Sequence, residues 1–477
     1  VSRETSQPMG LWDWIFGGIL AVWAVLLIID ALFMPLMQND ALEYALVGRL
    51  LFEQRDLLAY PALDPVAGTS GFYGPWTHPP LYPALIYITN VFQGHADAPG
   101  LMRLISPWCA LAATGVVYSM GCLANRLTGL LSAFIFLSTP LLFLGAGSAL
   151  IDPLPILGMT LILSVVMTAE SLTVQRAIAL GLTLGLSLWT HSQAVLFIPL
   201  AICAVLLQDG WRETRAVCGR IGIMLGIAVL ISAWPYSRNL SLFGSFISDT
   251  PAVFAVPELG WAEYFSKVRG IASWPGIIQY GLFKGWFALE AYSWSFWLML
   301  LGVILCVKRV DLRRSWGDFQ EGNSDGITNR WNGVMLGVFL FYLCGVMLSA
   351  GMGIDLMIRN ERYLLVLMPC VSLFAGSGIA KVLSGLRRHV SAEDALGDLV
   401  RRGVRFLFIL VVLSVFAAQL YVVGGHRWRT LGLTPRQIWL THEEKLSSWP
   451  AFKAVNYLKT SAARGATVLS MKPADMY

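Results

Sequence analysis

The chain has 477 residues, of which 56% are hydrophobic and 13% charged, with a formal net charge of +5. Soluble domains carry about 25% charged residues, so this composition excludes a large soluble core and describes a polytopic membrane protein. The positive balance sits in loops between apolar runs, which makes it a mark of topology rather than of nucleic-acid binding.

A helix crosses a bilayer with about 20 apolar residues. Segments of that kind lie near 12–36, 102–124, 129–148, 153–169, 176–190, 193–208, 219–236, 291–307, 333–351, 362–383 and 404–424. The expectation is an all-α polytopic protein with about 11 transmembrane helices, in which 176–190 and 193–208 are short enough to form a broken or tilted hairpin. No small-residue cleavage site follows the first segment, which predicts an anchor and not a cleaved signal.

Lys and Arg set the orientation. They concentrate in the loops on the side of the N-terminus, with Arg3, Arg126, Arg176, Arg212, Arg215, Arg220, Arg313, Arg314, Arg387, Arg388, Arg401 and Arg402 among them. The N-terminus is expected inside, with 37–101 and 238–290 as outer loops. All seven cysteines fall in predicted helices or inner loops, away from any oxidising compartment, and no CxxC suggests a thiol-based metal or redox site. The inner stretch 309–331 is a polar Gly/Asn/Ser linker.

The first outer loop begins "NDALEYALVGRLLFEQ", where Leu42, Leu46, Leu50 and Leu51 share one face of a predicted amphipathic helix over 40–54. Asp40 opens that helix, and Glu43 and Tyr44 follow three and four residues later on the same face. That spacing also fits a capping acid with a solvated neighbour. Further on, "THPPLYPALIYITNVF" carries His78 before two prolines, which fix an extended turn, and then an apolar run too short to span. This run is expected to dip into the membrane interface.

The remaining isolated polar residues fall on the same predicted side. Asp152 lies in "GSALIDPLP" between two membrane helices, and His191 in "LWTHSQ" at the turn of the short hairpin. Arg238, in "WPYSRNLSLFG", stands where the seventh segment exits, and Arg359 and Arg362, in "MIRNERYLLVLMP", begin the tenth. Any one of these could be a helix-end residue reaching for water. Acids and bases converging on one face of a membrane protein more readily make a site, because ionisable groups near a bilayer are costly and tend to be paired or functional.

In order, "NDALEYA", "HPPLYP", "RLISPW", "ALIDPLP", "GLSLWTHSQAVLFIPL", "WPYSRNLSLFG" and "RYLLVLMP" resemble the GT-C superfamily of integral-membrane glycosyltransferases. Within that superfamily the motifs resemble those of the protein O-mannosyltransferases and the aminoarabinose transferase of lipid A. The resemblance covers roughly residues 10–385; each motif is loose and the ordered set is more specific. It implies a GT-C-like transmembrane domain over 1–424, a catalytic acid at Asp40, and a sugar donor on polyprenyl phosphate bound from the outer leaflet. Asp152 and Glu43 join the catalytic candidates. His78, Tyr44, His191, Arg238, Arg359 and Arg362 are the candidates for holding donor phosphate or substrate.

Two departures bear on this assignment. Relatives often have Lys where this chain has His78 and His191, so the phosphate is expected to lean on the arginines. The "WWDxG" pattern of oligosaccharyltransferases is absent, which argues against a pyrophosphate-linked oligosaccharide donor. The implied activity is inverting transfer of a sugar to an acceptor hydroxyl or phosphate on a lipid, glycan or protein. Its implied place is the plasma membrane, the inner membrane in a bacterium, with the site extracytoplasmic. No motif calls for a cofactor, and a divalent cation stays open. The rivals are a lipid or small-solute transporter or flippase, which would favour midplane sites and repeated halves, and a scaffold, which needs no acid pair. Residues 425–477 read as an outer helix and strand, part of a small α/β domain.

Overall fold

The computed structural model describes residues 11–33, 39–55, 79–96, 100–168, 172–209, 214–243, 289–307, 324–351 and 361–388, with scattered helical positions between 403 and 423. Among them every regular element is helical. In chain order these are α1 (Leu11–Phe33), α2 (Asn39–Gln54), α3 (Leu81–Gln93), α4 (Ile105–Cys122), α5 (Arg126–Leu137), α6 (Pro140–Gly147) and α7 (Pro153–Met167). Then come α8 (Val174–Leu188), α9 (Phe197–Asp209), α10 (Thr214–Phe243), α11 (Leu289–Tyr292), α12 (Ser295–Val307), α13 (Ser324–Gly351) and α14 (Met368–Arg388). Short 3₁₀ turns at Gly100–Leu104, Ser192–Leu196 and Glu361–Leu367 lead into α4, α9 and α14.

Four of these helical stretches are long and apolar enough to cross a membrane, or five if α5 and α6 count as one. Five shorter apolar helices accompany them, among them α7 and α8. The predicted segments through 362–383 recur as helices and 404–424 lies largely outside the described residues, while the expected span count does not follow from helix length among the described residues. One predicted span is broken: 129–148 divides into α5 and α6, which meet at 60°. Pro140 opens α6, where its missing N–H costs nothing, and Thr139 stands extended before it. Ser138 and Thr139 are themselves buried. Thr139 Oγ1 donates back to the Ile135 carbonyl, which satisfies a buried hydroxyl at the break.

At the centre of the fold lies α14, packed against α5, α12 and α4. Of the span through α14, 89% is buried, against 28% for α1 and 22% for α10, which leaves these two on the periphery. Bilayer lipid is as apolar as leucine, so helices in a membrane gain from close backbone approach at small residues. Gly302 of α12 and Gly378 of α14 meet this way: a Cβ on Gly378 would stand 2.6 Å from the Gly302 Cα.

The helix predicted over 40–54 is present, and its buried face includes Leu51 of the expected leucine face. Ala41, Tyr44, Ala45, Val47 and Leu51 are buried, Leu50 is half-buried, and Gly48 leaves room for Ile86 of α3. The side chains of Leu42 and Leu46 lie outside the described residues. Helix α2 thus packs on α3 through small and aromatic residues at i, i+3, i+4 and i+7 spacing. The C-terminal segment 425–477 and its expected helix and strand lie outside the described residues.

Candidate active site

Five chain segments gather around the ends of α3, α7, α8 and α14. The first contact is aromatic. Tyr44, one helical turn after Asp40 on α2, lies edge-on to Tyr82 of α3 with ring centroids 5.1 Å apart, and both rings are fully buried. They belong to a cluster with Ile86, Met102, Ala149 and Ile151, so the helix that carries Asp40 packs next to the turn that precedes Asp152.

That turn is unusual. Ala149 has φ of 56°, in the left-handed region that costs a non-glycine residue roughly 1–2 kcal/mol. Polar contacts hold it there. The Tyr82 hydroxyl donates to the Ala149 carbonyl at 2.8 Å and lies 2.8 Å from Ser106 Oγ, while Ser106 Oγ reaches the Leu150 carbonyl at 2.5 Å. Burial pushes the Tyr82 hydroxyl above the ordinary phenol range; Ser106 opposes this and the nearby Asp152 charge adds to it. The hydroxyl therefore remains a protonated donor at physiological pH.

Asp152 directly precedes α7, so its carboxylate sits at the positive end of that helix. Its side chain is 14% exposed, and Arg362 Nη1 lies 3.8 Å from its Oδ2. At that separation the pair interacts through charge rather than through a hydrogen bond. Arg362 is the second residue of the 3₁₀ turn before α14, and the adjacent Tyr363 anchors it: the Tyr363 carbonyl accepts from Gln193 Nε2 at 2.6 Å and from the Tyr342 hydroxyl at 2.8 Å. Gln193 and Tyr342 are also bonded to each other.

His191 caps the turn Ser192–Leu196. Its Nδ1 accepts from the Gln193 backbone N–H at 3.1 Å, which leaves the ring N–H at Nε2. The ring is nearly buried and meets Tyr363 edge-on at 5.5 Å. Two residues earlier the Trp189 carbonyl accepts from Leu81 N–H at 2.8 Å, and Trp189 Nε1 donates to the Ile231 carbonyl of α10. The contacts close a ring: Tyr82 to Ala149, Asp152 to Arg362, Tyr363 to His191, and Trp189 back to Leu81 beside Tyr82.

Of the residues expected at the site, the structure brings Asp152, Arg362, His191 and Tyr44 into this ring. Asp40 and Glu43 stand on the first two turns of α2, and Arg238 near the end of α10; their side chains lie outside the described residues. His78 and Arg359 lie outside them altogether. The sequence left Tyr82, Ser106, Gln193 and Tyr342 without a role, although Tyr82, Ser106 and Gln193 stand inside the quoted motifs. Asp30 also acquires a place: it is buried near the end of α1, its carboxylate so close to Gly147 that a Cβ there would collide with Oδ2. Nearby, Arg103 Nη1 donates to the Leu32 carbonyl at 3.0 Å and ties the end of α1 to the turn before α4. No three His, Cys, Asp or Glu residues gather as a metal site among the described residues.

No family profile matches the sequence, and no curated protein matches it closely enough to count as a relative. Solved structures do match. The oligosaccharyltransferase of Archaeoglobus fulgidus in complex with Zn and sulfate aligns over 95% of this chain and 58% of its own, at 13% identity and a TM-score of 0.53. The same organism's AglB, with an inhibitory peptide and a dolichol-phosphate, aligns over 96% and 61% at 12% identity and 0.51. ArnT from Cupriavidus metallidurans, bound to undecaprenyl phosphate, aligns over 98% of this chain and 84% of its own, at 13% identity and 0.52. This chain spans about three fifths of the archaeal enzyme. The chain has the fold of the GT-C integral-membrane glycosyltransferases, as the order of its motifs implied.

Proposed function

We propose that this integral membrane protein transfers a sugar from a polyprenyl-phosphate donor to an acceptor hydroxyl or phosphate, with inversion, at the extracytoplasmic face of the plasma membrane. The observation that carries this reading is the Asp152–Arg362 pair: an acid and a guanidinium held together within a ring of buried contacts next to the helix of Asp40. Solved proteins of the same fold carry undecaprenyl phosphate or dolichol-phosphate, and a lipid phosphate is the ligand that a cluster of arginines at helix ends would suit.

In the proposed step the acceptor hydroxyl gives its proton to Asp40 as its oxygen attacks the anomeric carbon. The bond from that carbon to the phosphate oxygen breaks, and the lipid phosphate leaves with the electron pair. Arg362, with Arg238 and Arg359, would stabilise the developing phosphate charge. Asp152 would hold the Arg362 guanidinium in place, and Glu43 would orient or hydrate the base. His191, His78 and Tyr44 would line the donor side. A divalent cation would need Asp40 and Glu43 to complete a donor set with Asp152, whose charge is already met by Arg362.

The test is incubation of the purified protein with a panel of polyprenyl-phosphate sugars and mixed acceptors. Consumption of one donor with release of the lipid phosphate is expected. Transport of an intact lipid or solute by reconstituted protein, without donor cleavage, would replace the transferase by the transporter.

A further inference from the structure

Ala149 is a strained residue at the foot of a helix, and its strain is met by side chains that have no part in the chemistry above. Its φ of 56° lies where alanine is disfavoured and glycine is not. The turn residues Ala149 and Leu150 each give a carbonyl to a buried hydroxyl, from Tyr82 and Ser106 respectively. Asp152 follows at once and faces Arg362 across 3.8 Å. The ring of Tyr82 is occupied too, packed edge-on against Tyr44 one turn along from Asp40. One buried side chain therefore touches both elements that carry the candidate acids.

We propose that Tyr82 is a positioning residue: its hydroxyl, shared with Ser106, holds the Ala149 turn so that Asp152 faces Arg362, while its ring seats the helix of Asp40. The proposal rests on the transferase reading for its effect on rate, and on geometry alone for its effect on the turn. Backbone strain held at a site by surrounding contacts is a known route to preorganisation, and small displacements of catalytic groups are expensive. Tyr82 does not need to touch substrate for this.

The experiment is a cycle of Tyr82→Phe and Ala149→Gly, read by transfer kinetics and by thermal unfolding in detergent. Phenylalanine keeps the ring against Tyr44 and removes only the hydroxyl. Glycine adopts the left-handed conformation without the alanine penalty, so it lessens the need for the hydroxyl. Tyr82→Phe alone should lower kcat roughly 10- to 100-fold, with the donor KM changed less than about twofold, because phosphate binding rests on the arginines. In the Ala149→Gly background the same change should cost several-fold less in kcat, and less in melting temperature. Ser106→Ala should move in the same direction as Tyr82→Phe.

Equal penalties in both backgrounds, or no loss of kcat for Tyr82→Phe, would overturn the proposal. The two readings fail separately. A wild-type protein that consumes no donor defeats the transferase, while the unfolding cycle still decides whether Tyr82 holds the turn.

Discussion

Asp40 and Arg362 divide the proposed chemistry between them, and each can be separated from a merely structural role by choice of substituent. Asparagine at position 40 can accept a backbone hydrogen bond as aspartate can, so Asp40→Asn should cost the fold at most about 1 kcal/mol. It cannot take a proton from a hydroxyl, and transfer should fall roughly 10²–10⁴-fold. The check is transfer and melting temperature at matched expression, with Glu43→Gln expected to lose less. Full activity in Asp40→Asn would reduce the acid to a cap and move the base to Asp152 or Glu43. At Arg362 the expected loss is in binding. Removing one charged hydrogen bond of about 1.5–3 kcal/mol should raise the donor KM roughly 10- to 100-fold in Arg362→Ala. Lysine, a point charge without the planar fork, should recover part of this. An unchanged KM would mean that Arg362 serves only as the partner of Asp152.

Single residues show what a sequence can reveal of such a site. Asp152 and Arg362 stood out because a charge among apolar helices has few bland explanations, and the structure pairs them. Tyr82, Gln193 and Tyr342 gave no such signal. A tyrosine or glutamine among apolar residues looks like filler until its partner is known. Here the partners are backbone carbonyls 67, 170 and 21 residues away in sequence.

Hydropathy carried the elements well and their interruptions poorly. The first segment, read as 12–36, is the helix Leu11–Phe33, and 153–169 is Pro153–Met167. The run 129–148 looks continuous because the residues at its break are buried like those on either side; only Pro140 marks the point where it turns by 60°. The face of α2 was legible in part: Leu51 is buried, and the contact with α3 also uses Tyr44 and Gly48, which fit Tyr82 and Ile86. Close packing at small residues has a measurable consequence in the core. A methyl added at Gly302 would run into the Phe374 carbonyl of α14, a backbone atom that cannot swing aside. Gly302→Ala should therefore cost about 1–3 kcal/mol through overpacking. Gly17→Ala, with nothing within 4 Å of the new carbon, should leave stability unchanged or slightly raised. Thermal unfolding of the two variants in detergent measures this, and equal effects would contradict the α12–α14 contact.

For the whole molecule, the fold and the sidedness stand on different footings. The fold follows from the helices and from the match to ArnT and AglB over nearly the full chain. Sidedness rests on the distribution of Lys and Arg, and the proposed extracytoplasmic site depends on it, because in the proposed reaction the arginines would have to meet the donor phosphate on the side of the acceptor. Single cysteines at positions 70, 324 and 447 decide the matter. Position 70 falls between α2 and α3 in the sequence, position 324 at the start of α13, and position 447 in the C-terminal segment. The background should lack native cysteines, since Cys218 and Cys344 are exposed and would label on their own. In intact cells an impermeant thiol reagent should modify Ser70→Cys and Ser447→Cys and spare Ser324→Cys until the membrane is permeabilised. The opposite pattern would place the loop of Asp40 in the cytoplasm. The ring around Asp152 and Arg362 would survive that result, but its substrate would then have to be a donor presented on the inner leaflet.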